Sequence, residues 1–179
     1  MATKSAKGTQ GKKRGRPPVP RKRLGHLERK TIETLLRSIR AFTLTATDAP
    51  LKETSINSRL IKQLKLVNAN VVNRKIESVT FVEETYRPEC TLSGGGAYTL
   101  FALECKKLHD HSAKRLFKEG LAQASLYLSK SKRVALVLYD FTTGRVYAKA
   151  FGKGNSNTSR FSARVREETG LHIIVRPAP

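Results

Sequence analysis

The sequence predicts an α/β protein with a mixed central sheet, from three observations. Apolar residues recur at helical spacing in three segments, residues 27–42, 50–67 and 112–130. Three other segments are rich in aliphatic, β-branched and aromatic residues, as strands are: residues 77–86, 98–106 and 133–141. Helical and strand-like segments alternate, and with a short extended piece around Glu89 they give the order αβββαβ over residues 50–141.

The predicted first helix, residues 27–42, precedes this core. Its apolar stripe consists of Ile32, Leu35, Leu36, Ile39 and Phe42. Residues 43–50 interrupt the pattern, and Pro50 suits the first turn of the next helix. Glu53 opens that second helix. An acidic residue is favoured there by the helix dipole, which is one interpretation of Glu53.

The later elements follow from the same patterns. Residues 112–130 predict a helix in which Gly120 indicates close packing, because glycine costs a helix about 1 kcal/mol relative to alanine. Residues 133–141 form the most apolar segment and predict a central strand buried on both faces. We expect three further elements in the C-terminal part: a hairpin strand at 145–151, a short helix at 160–168 and a last strand at 171–175.

Charged residues at the end of one apolar strand indicate a candidate site. Alternate side chains of a strand share a face, so Glu104 and Lys106 project together while Cys105 points away. Glu89 comes beside them if the glycine-rich residues 93–96 reverse the chain. Two carboxylates offer the oxygen ligands that Mg²⁺ or Mn²⁺ prefers. The alternative is a solvated ion pair at the end of a strand.

The same residues resemble the motifs of the PD-(D/E)xK nuclease superfamily. Pro88-Glu89 corresponds to the first half of the motif, and Glu104-Cys105-Lys106 to the second. Gln123 and Tyr127, four residues apart on the following helix, match the Q-x-x-x-Y motif of the RecB-like and phage-exonuclease-like branch. The sequence departs from the superfamily pattern in one respect, because the first acid is glutamate rather than aspartate.

The resemblance implies a restriction-endonuclease-like core, the order αβββαβ, within a domain at residues 26–179. It implies that the core spans residues 50–142, with an extra N-terminal helix and C-terminal additions. The implied catalytic residues are Glu89, Glu104, Lys106, Gln123 and Tyr127. The implied ligands of Mg²⁺ or Mn²⁺ are Glu53, Glu89, Glu104 and the backbone carbonyl of Cys105. His109 and His111 follow the motif directly, and we interpret them as bystanders, with phosphate contacts as the alternative.

The balance of charge predicts a polyanionic partner. The chain has 35 Lys and Arg against 14 Asp and Glu, a net charge of +21, and nucleic acid is the first candidate for its partner. Residues 1–25 contain almost nothing to bury and predict a disordered basic tail. We expect the tail to contact nucleic acid through Lys12, Lys13, Arg14, Gly15, Arg16, Pro17, Arg21, Lys22 and Arg23.

The centre of the tail resembles an AT-hook, whose Arg-Gly-Arg-Pro core lies in the minor groove of A·T-rich DNA. Residues 14–17 carry this core. A narrow, strongly negative groove favours two arginines that flank a residue without a side chain. A generic basic arm and a nuclear-import signal are the alternatives.

The leading functional prediction is a Mg²⁺-dependent nuclease acting on DNA in preference to RNA. The alternative is a non-cleaving nuclease-fold protein of a chromatin, recombination or ribonucleoprotein assembly. Two cysteines without metal-ligand spacing indicate a reducing compartment, and no apolar run is long enough to span a membrane. The expected location is intracellular: the nucleus in a eukaryote, otherwise the cytoplasm or nucleoid. A homodimer or larger assembly is left open.

Overall fold

The computed structural model describes residues 24–73, 78–94, 98–152, 154 and 156–179. The five helices of this part are α1 (His26–Ala41), α2 (Glu53–Val67), α3 (Ala113–Tyr127), α4 (Val146–Gly152) and α5 (Asn157–Thr169). Its strands are β1 (Val71–Asn73), β2 (Val79–Phe81), β3 (Glu84–Tyr86), β4 (Cys90–Ser93), β5 (Thr99–Leu108), β6 (Ser131–Asp140) and β7 (Leu171–Pro177). A 3-10 turn, Ala46–Asp48, lies between α1 and α2.

The main sheet has five strands in the order β1-β4-β5-β6-β7. The pairs β1–β4 and β4–β5 are antiparallel, whereas β5–β6 and β6–β7 are parallel. The parallel pairing aligns Leu108 with Asp140 and Asp140 with Pro177, so the carboxyl ends of β5, β6 and β7 lie at the same end of the sheet. The predicted α/β class with a mixed sheet is therefore confirmed.

The sheet has a hydrophobic core on each face. One core joins the stripes of α1 and α2 to alternate residues of β5 and β6, among them Cys105 and Val137. The other joins α3 to the opposite residues, among them Ala102 and Leu136. Every residue of β5 is buried, and β6 is buried at all but two positions, as expected of strands covered by helices on both sides.

The prediction of one strand at residues 77–86 is wrong. Residues 79–86 form a separate hairpin of β2 and β3, and residues 74–77 lie outside the described part of the chain. Val82 and Glu83 form its turn with positive φ angles of 46° and 68°, which suits the twist of a two-residue hairpin. The strand β1, which the sequence pattern did not indicate, pairs with β4 in the main sheet instead.

The prediction of a strand at residues 145–151 is also wrong, because Val146–Gly152 is helix α4. The chain turns through Gly144 and Arg145, whose φ angles are 73° and 53°. The carboxylate of Asp140, at the end of β6, accepts a hydrogen bond from the backbone N–H of Ala148 at 2.7 Å. This contact holds the helix against the sheet.

The predicted C-terminal helix and strand are confirmed with longer bounds. Gly170 ends α5 in the left-handed conformation, with φ of 85°, and β7 then pairs in parallel with β6. In the described ranges, no helix is long and apolar enough to cross a membrane. The tail residues predicted to bind nucleic acid, Lys12, Lys13, Arg14, Gly15, Arg16, Pro17, Arg21, Lys22 and Arg23, lie outside the described residues, as do residues 95–97 of the glycine-rich connection.

Candidate functional site

Strand β5 places Glu104 and Lys106 side by side on the face that α3 covers. The Nζ atom of Lys106 lies 3.0 Å from Oε1 of Glu104. Only 4% of Glu104 and 8% of Lys106 are exposed. This is a buried ion pair, not the solvated pair that was the alternative interpretation. A pair withdrawn from water is costly unless further groups compensate it.

Glu89 lies beside this pair because β4 runs antiparallel to β5. Its backbone N–H donates to the carbonyl of Leu103 at 2.8 Å, directly before Glu104. The negative charge of Glu89 contributes to raising the pKa of both Glu53 and Glu104. The charge of Glu89 therefore acts on both Glu53 and Glu104.

Glu53 enters the site from the first turn of α2. Its Oε2 atom accepts a hydrogen bond from the backbone N–H of Lys107 at 2.5 Å. Burial raises the pKa of Glu53, and the negative charges of Glu89 and Glu119 raise it further. The hydrogen bond from Lys107 and the charge of Lys106 oppose this rise. Glu53 thus has specific contacts with β5 in addition to any effect of the helix dipole.

The ionisation of Glu104 and Lys106 is set by burial and by their neighbours. Burial, together with the charge of Glu89, raises the pKa of Glu104 to about 7, although Lys106 and a hydrogen bond from Tyr127 oppose this rise. Burial alone would lower the pKa of Lys106, but the nearby carboxylates outweigh it and raise that pKa. Near neutral pH the side chain of Lys106 is charged, while the carboxyl group of Glu104 is divided between its protonated and ionised forms.

Helix α3 covers the pair and approaches it closely at Gly120. A Cβ atom at this position would lie 2.7 Å from Cγ of Lys106 and 3.0 Å from Cδ1 of Leu136. Glycine is therefore required for Lys106 to extend beneath the helix. The close packing predicted from Gly120 is confirmed.

Tyr127 and Gln123 both have polar groups in the interior. The side chain of Tyr127 is buried, and its hydroxyl forms a hydrogen bond with the carboxylate of Glu104. Burial, followed by the charge of Glu104, raises the pKa of Tyr127, so the hydroxyl keeps its proton. Oε1 of Gln123 is buried and has no hydrogen-bond partner among the described residues. A buried amide oxygen of this kind is costly unless a donor or a cation reaches it.

Glu119 is a site residue that the sequence analysis missed. Its Oε1 atom lies 3.4 Å from Nζ of Lys106, and its charge contributes to the raised pKa of Glu53 and of Lys106. The available signal was helical spacing, because Glu119, Gln123 and Tyr127 follow one another at intervals of four residues on one side of α3.

The thiol and the backbone carbonyl of Cys105 point in different directions. The thiol lies on the opposite face of the sheet, where Tyr139 donates a hydrogen bond to Sγ at 3.4 Å. The carbonyls of alternate strand residues point to the same edge. The Cys105 carbonyl therefore points to the edge where Leu103 binds Glu89 and Lys107 binds Glu53.

The donor set fits a hard divalent cation in its chemistry. The charge of Glu89 contributes to the raised pKa of both Glu53 and Glu104, and the Cys105 carbonyl adds a neutral oxygen at the same edge. In the described part of the chain, however, no three His, Cys, Asp or Glu residues are grouped so that they could hold a metal ion. Lys106 supplies the positive charge next to Glu104.

The histidines lie beyond the carboxyl groups. The rings of His109 and His111 stack with centroids 6.3 Å apart, and His109 also stacks on Phe141 at 6.0 Å. Burial lowers the pKa of His109, and the positive charges of Lys107 and His111 lower it further. His109 is therefore neutral at neutral pH and adds no positive charge next to the carboxyl groups.

Comparison with known proteins does not assign the chain to a group. No protein-family model matches it, and a search of curated proteins gives no significant match.

Proposed function

We propose that this protein is a Mg²⁺- or Mn²⁺-dependent nuclease of the PD-(D/E)xK type that hydrolyses phosphodiester bonds in DNA. The observation that carries the proposal is the buried pair of Glu104 and Lys106, with Glu89 and Glu53 converging on it from β4 and α2. An acid and a lysine at the end of a central strand, beside two further carboxyl groups, suit chemistry on a phosphate.

The order of the elements supports the same proposal. The elements of the main sheet and their helices follow one another as α2, β1, β4, β5, α3 and β6. This is the order αβββαβ expected of a restriction-endonuclease-like core, with the hairpin β2–β3 as an insertion. The first strand of that core is β1 rather than residues 77–86.

Each side chain has a role that its surroundings suggest. Glu53, Glu89, Glu104 and the Cys105 carbonyl would hold the cation. When bound, this ion would lower the pKa of a water molecule and polarise the scissile phosphate.

Lys106 keeps its proton, so it orients the attacking water or stabilises negative charge on the phosphate in the transition state. Tyr127 holds the carboxylate of Glu104 in place through its hydrogen bond. Gln123 has an unused amide oxygen with which to bind a donor at the site.

The basic tail would hold the substrate. Eleven of the 35 basic residues, and one of the 14 acidic ones, lie within the first 30 positions. Contacts between such residues and phosphates displace counterions, so they give attraction that depends strongly on salt. In this proposal, the tail supplies the affinity for DNA, and the folded domain hydrolyses the phosphodiester bond.

A second candidate function is a nucleic-acid-binding protein with this fold that does not cleave. The observation that favours it is the presence of glutamate at position 89, where the superfamily has aspartate, because the extra methylene moves the carboxylate. The pairing of Glu104 with Lys106 and Tyr127 also leaves it fewer free lone pairs for a metal.

One assay separates the two candidates. Supercoiled plasmid is incubated with the full chain in Mg²⁺, in Mn²⁺ and in EDTA, and nicked and linear products are quantified. We expect metal-dependent cleavage that Glu104→Gln abolishes. The matched control is Glu33→Gln, which removes an exposed carboxylate from α1 and should cleave like the parent. DNA binding without cleavage by the parent in either metal would contradict the nuclease and support the second candidate.

A further inference from the structure

A cleft lies next to the candidate site, at the carboxyl ends of β6 and β7. Its volume is about 590 Å³, and residues 140–145, Lys149 and the segment containing Ala46 and Ala49 line it. The carboxyl ends of parallel strands are where open α/β sheets bind ligands. Nothing in the proposed chemistry uses this cleft.

Two cations line the cleft. Arg145 and Lys149 are both exposed, and neither forms a salt bridge within the described ranges. Asp110, next to the cleft, accepts hydrogen bonds from the backbone N–H and the hydroxyl of the lining residue Thr143. Asp140, in the wall, is fully buried. It accepts hydrogen bonds from the backbone N–H and the hydroxyl of Thr142 and from the backbone N–H of Ala148. Its oxygens are thus occupied internally, while the two cations face the cleft.

The backbone fixes the positions of the two cations. Arg145 has a φ of 53°, a left-handed conformation that is unfavourable for a residue with a side chain. Hydrogen bonds of 2.9 Å on each side hold it there, from Arg145 N–H to the Thr142 carbonyl and from Lys149 N–H to the Arg145 carbonyl. A Cβ atom at Gly144 would lie 3.8 Å from Nζ of Lys149, so the ammonium lies against the turn that contains Arg145.

The cleft and the candidate site share a wall. The carbonyl of Ala49, which lines the cleft, accepts a hydrogen bond from Nζ of Lys107 at 2.6 Å. That Nζ lies 4.7 Å from the ring centroid of Phe141, another lining residue. The backbone N–H of Lys107 binds Glu53. Lys107 of β5 therefore lies between Glu53 of the candidate site and the cleft.

We propose that this cleft binds a backbone phosphate of the nucleic acid strand, next along the strand to the phosphate at the carboxylate site. The proposal rests on the proposed function. Arg145 supplies a planar guanidinium that recognises a phosphate with two hydrogen bonds, and Lys149 supplies a point charge. The acidic centre repels a strand unless a cation is bound there, whereas the cleft attracts it. The cleft thus adds to the affinity of the protein for the strand.

The test measures DNA binding without cleavage. Anisotropy of a fluorescein-labelled 20-mer duplex is followed with the full chain carrying Glu104→Gln, at several salt concentrations. Adding Arg145→Gln and Lys149→Gln should weaken binding about tenfold. It should also reduce the slope of log K against log salt by about 0.9, the value for one phosphate contact. Lys62→Gln, which removes an exposed cation from α2, is the control and should change the affinity less than twofold. Equal effects of the double variant and of Lys62→Gln would overturn the proposal.

Two further measurements separate this proposal from the proposed function and identify the source of the phosphate. In the cleaving parent, the double variant should raise KM about tenfold and leave kcat unchanged, and an unchanged KM would overturn the cleft alone. A parent that never cleaves, but loses DNA binding in the double variant, would overturn only the nuclease. Inorganic phosphate and a mononucleotide serve as competitors at equal phosphate concentration. Displacement of the 20-mer by either at micromolar concentration would indicate a small-anion site and overturn the strand proposal.

Discussion

The two faces of β5 carry lysines that are adjacent in the sequence, and the surroundings of their ammonium groups differ. Nζ of Lys106 faces two carboxylates, those of Glu104 and Glu119. Nζ of Lys107, on the other face, donates to the carbonyls of Asp48, Ala49 and Leu51 at 3.3, 2.6 and 2.6 Å.

The pKa values move in opposite directions as a result. Burial lowers the pKa of Lys107, and the distant charges of Asp48 and Glu53 do not restore it. The carboxylates around Lys106 overcome burial and raise its pKa. The comparison teaches that Lys107 has a complete set of local partners and a structural role. The charge of Lys106 instead offsets part of the negative charge of Glu104 and Glu119.

Replacing each lysine by methionine tests most directly whether Lys106 and Lys107 have different roles. Methionine keeps an apolar stem of similar length, so packing is largely preserved. Lys106→Met should reduce plasmid cleavage about a thousandfold, because charge on the phosphate loses its stabilisation. It leaves the buried Glu104 without its cation and should lower the free energy of unfolding at neutral pH by about 3 kcal/mol. The measurements are initial cleavage rates and urea denaturation followed by circular dichroism.

Lys107→Met should destabilise the fold but spare cleavage. Three carbonyls lose their shared donor, which should lower the free energy of unfolding by about 3 kcal/mol. The cleavage rate of the folded fraction should stay within a few-fold of the parent. If the folded fraction of Lys107→Met lost as much cleavage as that of Lys106→Met, the contrast between the faces would be wrong.

Gly120→Ala should sharpen the comparison, because its added Cβ meets Lys106 first and then, at 3.0 Å, Leu136. The added Cβ would lie 2.7 Å from Cγ of Lys106, and the displaced ammonium should reduce cleavage about tenfold. Crowding opposes the better helix propensity of alanine, so we expect a net loss of about 1 kcal/mol in the free energy of unfolding. Gly152→Ala is the matched control, since nothing lies within 4 Å of its added Cβ. Equal effects of the two variants would show that Gly120 does not position Lys106.

The pH dependence of cleavage should report Glu104. Its pKa is raised to about 7, first by burial, and only the ionised carboxylate binds a cation. At limiting Mg²⁺, kcat/KM should rise about tenfold per pH unit below pH 7 and level off above it. Higher Mg²⁺ competes with the proton and should move the midpoint to lower pH. Lys106 keeps its charge throughout this range, so a fall in rate between pH 7 and 9 would contradict its assigned state.

Most of the fold could be predicted because periodicity marks elements that bury one face or both. The stripe of α1, the first turn of α2 at Glu53 and the apolar run of β6 correspond to elements in the structure. The hairpin turn at Val82 and Glu83 could not be predicted, because neither residue is of a type that favours positive φ. Helix α4 depends on Asp140, six residues before its start, through the bond to Ala148.

The site could be predicted where its residues are close together in the sequence. Strand alternation places Glu104 beside Lys106, and helical spacing places Gln123 near Tyr127. The ion pair between Glu119 and Lys106, by contrast, depends on how closely α3 lies over β5. The contact of Glu53 with the Lys107 backbone joins residues 54 apart, and no local pattern encodes it.

The burial of both cysteines makes the protein its own reporter of local opening. The chain has two cysteines, and neither Cys90 in β4 nor Cys105 in β5 is exposed at all. Burial raises the pKa of the Cys90 thiol to about 12 and that of Cys105 well above its usual range, so neither reacts as a thiolate in the folded state. Both thiols lie in the core beneath α1 and α2, so alkylation must wait until that core opens. The rate of thiol labelling under native conditions measures how often this face of the sheet is uncovered, without any probe being introduced.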